Sequence, residues 1–195
     1  MTEAMSTRVT PPAEETAPRV KDVRDAAAKH AAKHTRLIRS ARDGGVLSAL
    51  MLPFFLIRPP LGFGVITTIG RKTGNKRRRC VRVTRRGNTA YVVQLRPPAV
   101  AMTRPTAAAS WVWNIRANPA VALRMRGGMF QGVARELKDP AELEQAREAT
   151  CETVNLFDYG ECAVHLRGLP TRAKIKDLHR YWFDTGIPLV VELRD

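Results

Sequence analysis

Nine cations stand between residues 71 and 86 with no acidic residue among them. The stretch 64–86, GVITTIGRKTGNKRRRCVRVTRR, runs an apolar segment into a turn marked by Gly70 and Gly74. Backbone N–H groups in such a turn can converge on an anion, with Lys72, Arg77 and their neighbours closing round it. Arginine would grip a phosphate through paired N–H donors, and lysine would act as a point charge. On the strand that follows, alternation sends Arg77, Arg79 and Arg82 to different faces, so they cannot all serve one ligand. A solvated basic hairpin that keeps a sheet edge soluble is the plain alternative. The residue types leave both readings open.

Other reactive residues are sparser. Cys80 lies among arginines that could lower its thiol pKa, but a passive strand cysteine is the expectation. His30 and His34 sit at i, i+4 and could share a metal, but no third ligand has useful spacing, so an exposed helix face without metal is expected. His165 and His179 lack partners in sequence. No nucleophile–base signature is visible. Cys80, Cys151 and Cys162 lie far apart without a CxxC pair, which argues for a reducing, cytoplasmic setting and against secretion or structural zinc.

The elements that must position these residues read as a β meander with inserted helices. The 195 residues bound one domain and a tail; the balance of 33 Lys plus Arg against 18 Asp plus Glu leaves +15, which favours anionic partners. Residues 1–18, rich in Pro, Thr and Glu, are expected to form a disordered leader without a signal peptide. An Ala-rich helix is expected over 20–42, stopped by Gly44-Gly45, and the apolar run 46–57, broken by Pro53, is too short to span a membrane. Residues 19–58 thus form an N-terminal segment ahead of a domain over 59–195. Strands are expected at 64–69, 79–85 and 90–95, with Gly87-Asn88 as a hairpin turn, and at 120–125 and 131–137 around Gly127-Gly128. Ser110 would cap a short helix ended by Asn118-Pro119. Helices follow at 140–151 and 172–183, the latter burying Ile175, Leu178 and Trp182, and a last strand lies at 189–193. Six strands with inserted and flanking helices predict an α+β fold, a small antiparallel barrel.

Two blocks carry a family resemblance: Thr67-Thr68-Ile69-Gly70-Arg71-Lys72-Thr73-Gly74 with Arg77, and Trp111-Val112-Trp113-Asn114-Ile115-Arg116-Ala117-Asn118-Pro119. In that order they resemble the signature of the deazaflavin-dependent nitroreductase and quinone reductase family, and the ending Thr185-Gly186-Ile187-Pro188-Leu189-Val190-Val191 resembles its last strand. The resemblance covers about residues 60–195. It implies an FMN-binding-like split β-barrel and a hydride transfer from the reduced 8-hydroxy-5-deazaflavin coenzyme F420 to an electron-poor acceptor such as a quinone or nitroaromatic. That coenzyme carries a phosphodiester and a polyglutamate tail, which gives the basic surplus an object. By position the resemblance assigns cofactor binding to Arg71, Lys72, Thr73, Arg77, Arg79, Cys80, Arg82, Gln94, Leu95, Arg96, Trp111 and Asn114. Lys72, Arg77 and Arg96 would hold phosphate; Cys80 and Arg82 would line the ring; the Gln94 and Leu95 backbone would approach it. Any proton the product needs could come from water or from a hydroxyl such as Tyr181 on the substrate side. The chain departs from the family pattern at Leu95-Arg96-Pro97-Pro98, where prolines remove backbone donors.

Three rival readings accompany this one. FMN could replace the deazaflavin, by the same phosphate logic. The apolar run 46–57, flanked by Arg36, Arg39, Arg42 and Arg58, could rest on the inner membrane face or cap the barrel. The run Lys76-Arg77-Arg78-Arg79 is compatible with nucleic acid, but no helix-turn-helix, aromatic RNP pair or zinc finger accompanies it.

Overall fold

Hairpin chemistry organises the β-structure. Strand β1 (Phe63–Ile69) returns through the glycine loop into β2 (Lys76–Arg86), whose cationic first half pairs with it from Ile69↔Lys76 to Phe63↔Arg82. Gly87-Asn88 forms a two-residue turn into β3 (Thr89–Gln94), Arg86 facing Thr89, and Gly87 adopts φ +57°. Glycine tolerates that left-handed conformation without a Cβ penalty. The second hairpin joins β4 (Ala120–Met125) to β5 (Gly128–Glu136); its turn is Arg126-Gly127, and Gly128, expected in the turn, opens the strand instead. The last strand, β6 (Ile187–Arg194), pairs with β3 and β5, and β4 pairs with β1. The order β1-β2-β3-β6-β5-β4 closes an antiparallel barrel, so no sheet edge remains. The computed structural model describes residues 16–35 and 37–194; the expected leader lies largely outside them.

The helices correct the sequence reading at the N-terminal side. Helix α1 (Thr16–Ala31) ends early, and α2 (Ala41–Ile57) contains both Gly44-Gly45 and Pro53. Long-range pairing overrides the Ala-rich propensity after residue 31: Thr35 N donates to His165 O at 2.8 Å and Arg167 N to Lys33 O at 2.9 Å. A capping box restarts the helix, with Asp43 N donating to Ser40 Oγ and Ser40 N to Asp43 Oδ2. Helix α3 (Pro98–Thr103) was not foreseen, although Pro98 occupies the first-turn position that suits proline. Helix α4 (Ser110–Ala117) starts one residue after its cap, which is Ala109, not Ser110. Helix α5 (Pro140–Glu152) follows expectation, whereas α6 (Leu156–His165) was missed. Helix α7 (Arg172–Thr185) buries Ile175, Leu178 and Trp182 as expected.

The core has a barrel part and a helical part. Inside the barrel, Ile66, Val81, Val92, Leu123 and Val191 pack with Trp111, Val112 and Ile115 of α4. Outside it, α1 lays Val23 and Ala27 against Leu178 and Trp182. Helix α2 docks through Phe55, whose ring meets Phe63 at 5.9 Å and Phe157 at 5.8 Å between centroids. Such edge-on aromatic contacts add to the area they bury.

Candidate functional site

A cavity of about 390 Å³ opens where α2 and α6 lie across the β2–β3 wall, a size in the range of small-molecule sites. Helix α2 supplies Leu47, Ser48, Met51 and Phe55 to its lining, and α6 supplies Phe157, Gly160, Glu161 and Val164. The barrel side contributes Arg79 through Arg82 and Gln94 through Arg96, with Trp111 from α4 and Trp182 from α7. The sequence places α2 in a preceding segment and α6 was not foreseen, yet the two helices supply more than a third of the lining residues.

Of the residues singled out by resemblance, Arg79, Cys80, Arg82, Gln94, Leu95, Arg96 and Trp111 meet at this cavity. Arg71, Lys72, Thr73 and Arg77 lie outside its lining, on a loop and strand start exposed from residue 71 to 78. The cations therefore form two groups with different surroundings. Those of the loop face solvent. Those of the wall are held by protein oxygens.

Each wall cation has identifiable partners. Arg79 Nη1 donates to Gly45 O at 3.3 Å, and Cys80 N donates to Ser48 Oγ at 3.0 Å, so consecutive residues of β2 tether α2. Arg96 donates from Nε to Ala107 O at 3.1 Å and from Nη1 to Thr185 O at 2.7 Å and to Pro105 O. Gln94 braces the same loop, giving Nε2–H to Ala107 O and accepting from Ala109 N. Asn114 is buried outside the cavity. Its Oδ1 accepts from Arg71 N at 3.1 Å and its Nδ2 donates to Thr68 Oγ1 at 3.1 Å, which fixes where the cationic loop begins.

Arg82 is enclosed by acids from a helix 76 residues further on. Its Nη1 donates to Asp158 Oδ1 and lies 3.5 Å from Glu161 Oε2; its Nη2 donates to Asp158 Oδ2, to Thr153 O and to His179 Nδ1. The ligand atoms of Asp158, Glu161 and His179 lie within 4.8 Å of one another, the spacing of a metal site. The guanidinium among them already supplies the cation. Burial and the neighbouring Arg82 charge hold His179 down to about 3, so it accepts from Arg82 as a neutral ring. Burial raises Glu161 to about 7, against the pull of Arg82.

The passive reading of Cys80 holds, and the expectation of exposed paired histidines changes. Burial pushes the Cys80 thiol up, outweighing Arg79, and Cys80 Sγ donates to Ser48 O at 3.4 Å, so the arginines do not activate it. His30 and His34 are buried rather than exposed, and His30 stacks on Tyr181 at 4.4 Å. Tyr181 is itself buried outside the cavity lining, with its hydroxyl donating to Arg96 O at 3.1 Å. The sequence signal missed for α6 was Asn155 with Asp158, whose capping box starts that helix.

Chemically, the arrangement offers a mostly apolar cavity with fixed polar edges, walled on one side by α2, and a solvent-facing cationic loop that leads in sequence into its β2 wall. The cavity suits a flat aromatic ring, and the loop suits a flexible chain of anions, so the residues present fit a ring-plus-polyanion ligand. A family model described as F420H(2)-dependent quinone reductase matches residues 59–172. No curated protein matches the chain. Among solved structures the chain is similar to an F420-H2 dependent reductase, at 20% identity over 68% of this chain and 95% of that one with TM-score 0.43. It is also similar to a structure described as a domain-swapped dimer, at 20% identity over 68% and 81% with TM-score 0.45. A third is an FAD-binding protein from Mesorhizobium loti, at 13% identity over 76% and 91% with TM-score 0.40.

Proposed function

The chain belongs to the F420H(2)-dependent quinone reductase family, and from that premise we propose that hydride transfer to a quinone takes place in the cavity beneath α2. The protein is an oxidoreductase, with coenzyme F420 as its hydride donor. When bound, the reduced deazaflavin supplies that hydride, and the protein's part is to position and to exclude water. The observation that supports the placement is the convergence of Cys80, Gln94, Leu95, Arg96 and Trp111 on one cavity, with the exposed Lys72 and Arg77 on the loop and strand start that lead into its β2 wall.

The residues divide this work. Trp111, Leu95 and Cys80 give the ring an apolar wall. Lys72, Arg77 and the neighbouring Arg71 and Thr73 hold the phosphodiester and carboxylates from solvent, where charge attracts a polyanion without a desolvation cost. Arg79, Arg82 and Arg96 keep the wall rigid through their oxygen partners, and Asn114 anchors the loop. Residues 59–195 form the cofactor-binding unit, and α2 roofs it. The decisive experiment titrates folded protein with oxidised F420 and, separately, with FMN, following fluorescence, and then assays reduction of menadione and a nitroaromatic. Micromolar deazaflavin binding with weaker FMN binding is expected; a folded sample that ignores the deazaflavin overturns the reading.

One observation favours a further contact. The outward side of α2 exposes Val46, Leu50, Phe54 and Ile57, the last at 78% of its full area, and Arg58 follows it. Among the described residues no helix is long and apolar enough to cross a membrane. We propose that this face rests on an anionic bilayer, the phase in which a lipophilic quinone dissolves. Co-sedimentation with phosphatidylglycerol vesicles should be lost in a Leu50→Ser, Phe54→Ser variant; equal pelleting of the two proteins removes the proposal.

A further inference from the structure

Resting on the quinone reductase reading, we propose that Glu161 is the proton donor to the reduced acceptor. A hydride adds two electrons and one hydrogen to a quinone and leaves a hydroquinone monoanion. One O–H bond must still form, and its proton needs a source at the cavity.

Glu161 is placed for that task. It lines the cavity that also holds Cys80, Gln94 and Trp111, and its side chain is 13% exposed. The nearest cation, Arg82, is already matched by Asp158, which is fully buried against both guanidinium nitrogens. One positive charge and two carboxylates share the site, so the second carboxyl loses little by keeping its proton. Glu161 is the member at the cavity wall and Asp158 the one behind it. The neighbours facing it are Arg82 of β2, His179 of α7, neutral by burial, and Asp158 and Cys162 of its own helix. Arg79, Arg96 and His165 line the same cavity. The acidity that results, about 7, matches a donor working near neutral pH. Tyr181, the other candidate hydroxyl, lies behind the wall with its proton on Arg96 O.

The step balances. The phenolate oxygen of the hydroquinone monoanion forms its O–H bond with the Glu161 proton as the carboxyl O–H bond breaks, and Glu161 is left as a carboxylate. Bulk water returns the proton through the cavity mouth.

The test compares wild type with Glu161→Gln, which keeps size and hydrogen bonding, and Glu161→Asp. In cofactor-free protein labelled with 13C at glutamate carboxyls, the resonance absent from Glu161→Gln should titrate near pH 7. A midpoint in the ordinary carboxyl range overturns the proposal. With menadione as acceptor, wild-type kcat should fall above pH 7. Glu161→Gln should lose about a hundredfold at pH 6 together with that pH dependence, Glu161→Asp should recover part of both, and deazaflavin binding should be unchanged. A Glu161→Gln enzyme with the wild-type rate and pH profile overturns the donor and leaves the reductase reading intact. Wild type that binds no deazaflavin overturns that reading and the donor with it.

Discussion

Arg82 is buried with Asp158 fixed against it, and this pair couples the barrel to α6. Replacing Asp158 with Ala takes the closest carboxylate from the guanidinium, 6% exposed, and leaves it Glu161 at 3.5 Å, Thr153 O and His179 Nδ1. Removing one partner of a buried pair costs about 3–5 kcal/mol. The urea midpoint should drop accordingly at unchanged m; a shift of a few tenths of a kcal/mol would mean that water reaches the site. Binding tests a different set. Lys72→Ala and Arg77→Ala remove exposed cations without disturbing packing, so each should weaken F420 binding about tenfold, roughly the effect of losing one phosphate contact at modest salt, and leave thermal stability unchanged. Affinity indifferent to both would place the anionic tail elsewhere. The sequence exposes this cationic loop because its charge is local. It could not expose the Arg82 cluster, whose partners are 71 to 97 positions away.

Helix α2 is the element least legible in sequence and the one that turns a barrel wall into a cavity. Gly44-Gly45 reads as a stop and Pro53 as a break, yet tethers from Arg79 and Cys80, with Phe55 packed on Phe63, hold the helix through both. Tertiary contact of this kind outweighs intrinsic propensity. Its apolar residues face both the cavity and solvent, so periodicity alone cannot assign a buried side. The hairpins are the opposite case: turn residues and alternation lie within a few positions of each other, and the strands emerge near their expected bounds. The Ser40 cap gives α2 a test. Ser40→Ala should lower stability by about 1 kcal/mol, as cap removal commonly does, and should weaken cofactor binding more than that loss explains, because α2 is the roof. Unchanged affinity in a measurably destabilised variant would show that the roof can fray without consequence for the site.

At the scale of the whole molecule, helices packed on the closed barrel trap every histidine of the chain in a neutral state. His165 is lowered to about 4 and His179 to about 3, and His30 and His34 are also lowered, each chiefly by burial. His34 shows the reason locally: its Nδ1 bonds His30 O, while its Nε2 is buried without a partner among the described residues that could receive a second N–H. Folded pKa values below the unfolded 6.5 mean that the unfolded chain binds protons first, so this stability is present above about 6.5 and is lost as pH falls. From pH 7 to 5 the two deepest shifts together remove about 4 kcal/mol, at about 1.4 kcal/mol per unit. Glu161 acts in the opposite sense. Raised to about 7 from 4.5, it binds a proton in the native state that the unfolded chain lacks, so it adds about 2 kcal/mol over the same interval as pH falls. Wild type should therefore lose at least about 2 kcal/mol between pH 7 and 5 by urea unfolding, and Glu161→Gln about 2 kcal/mol more than wild type, the two curves diverging toward acid. Parallel curves would mean that Glu161 titrates as an ordinary surface carboxyl; a flat wild-type curve would mean that the histidines take up protons without unfolding the helical layer.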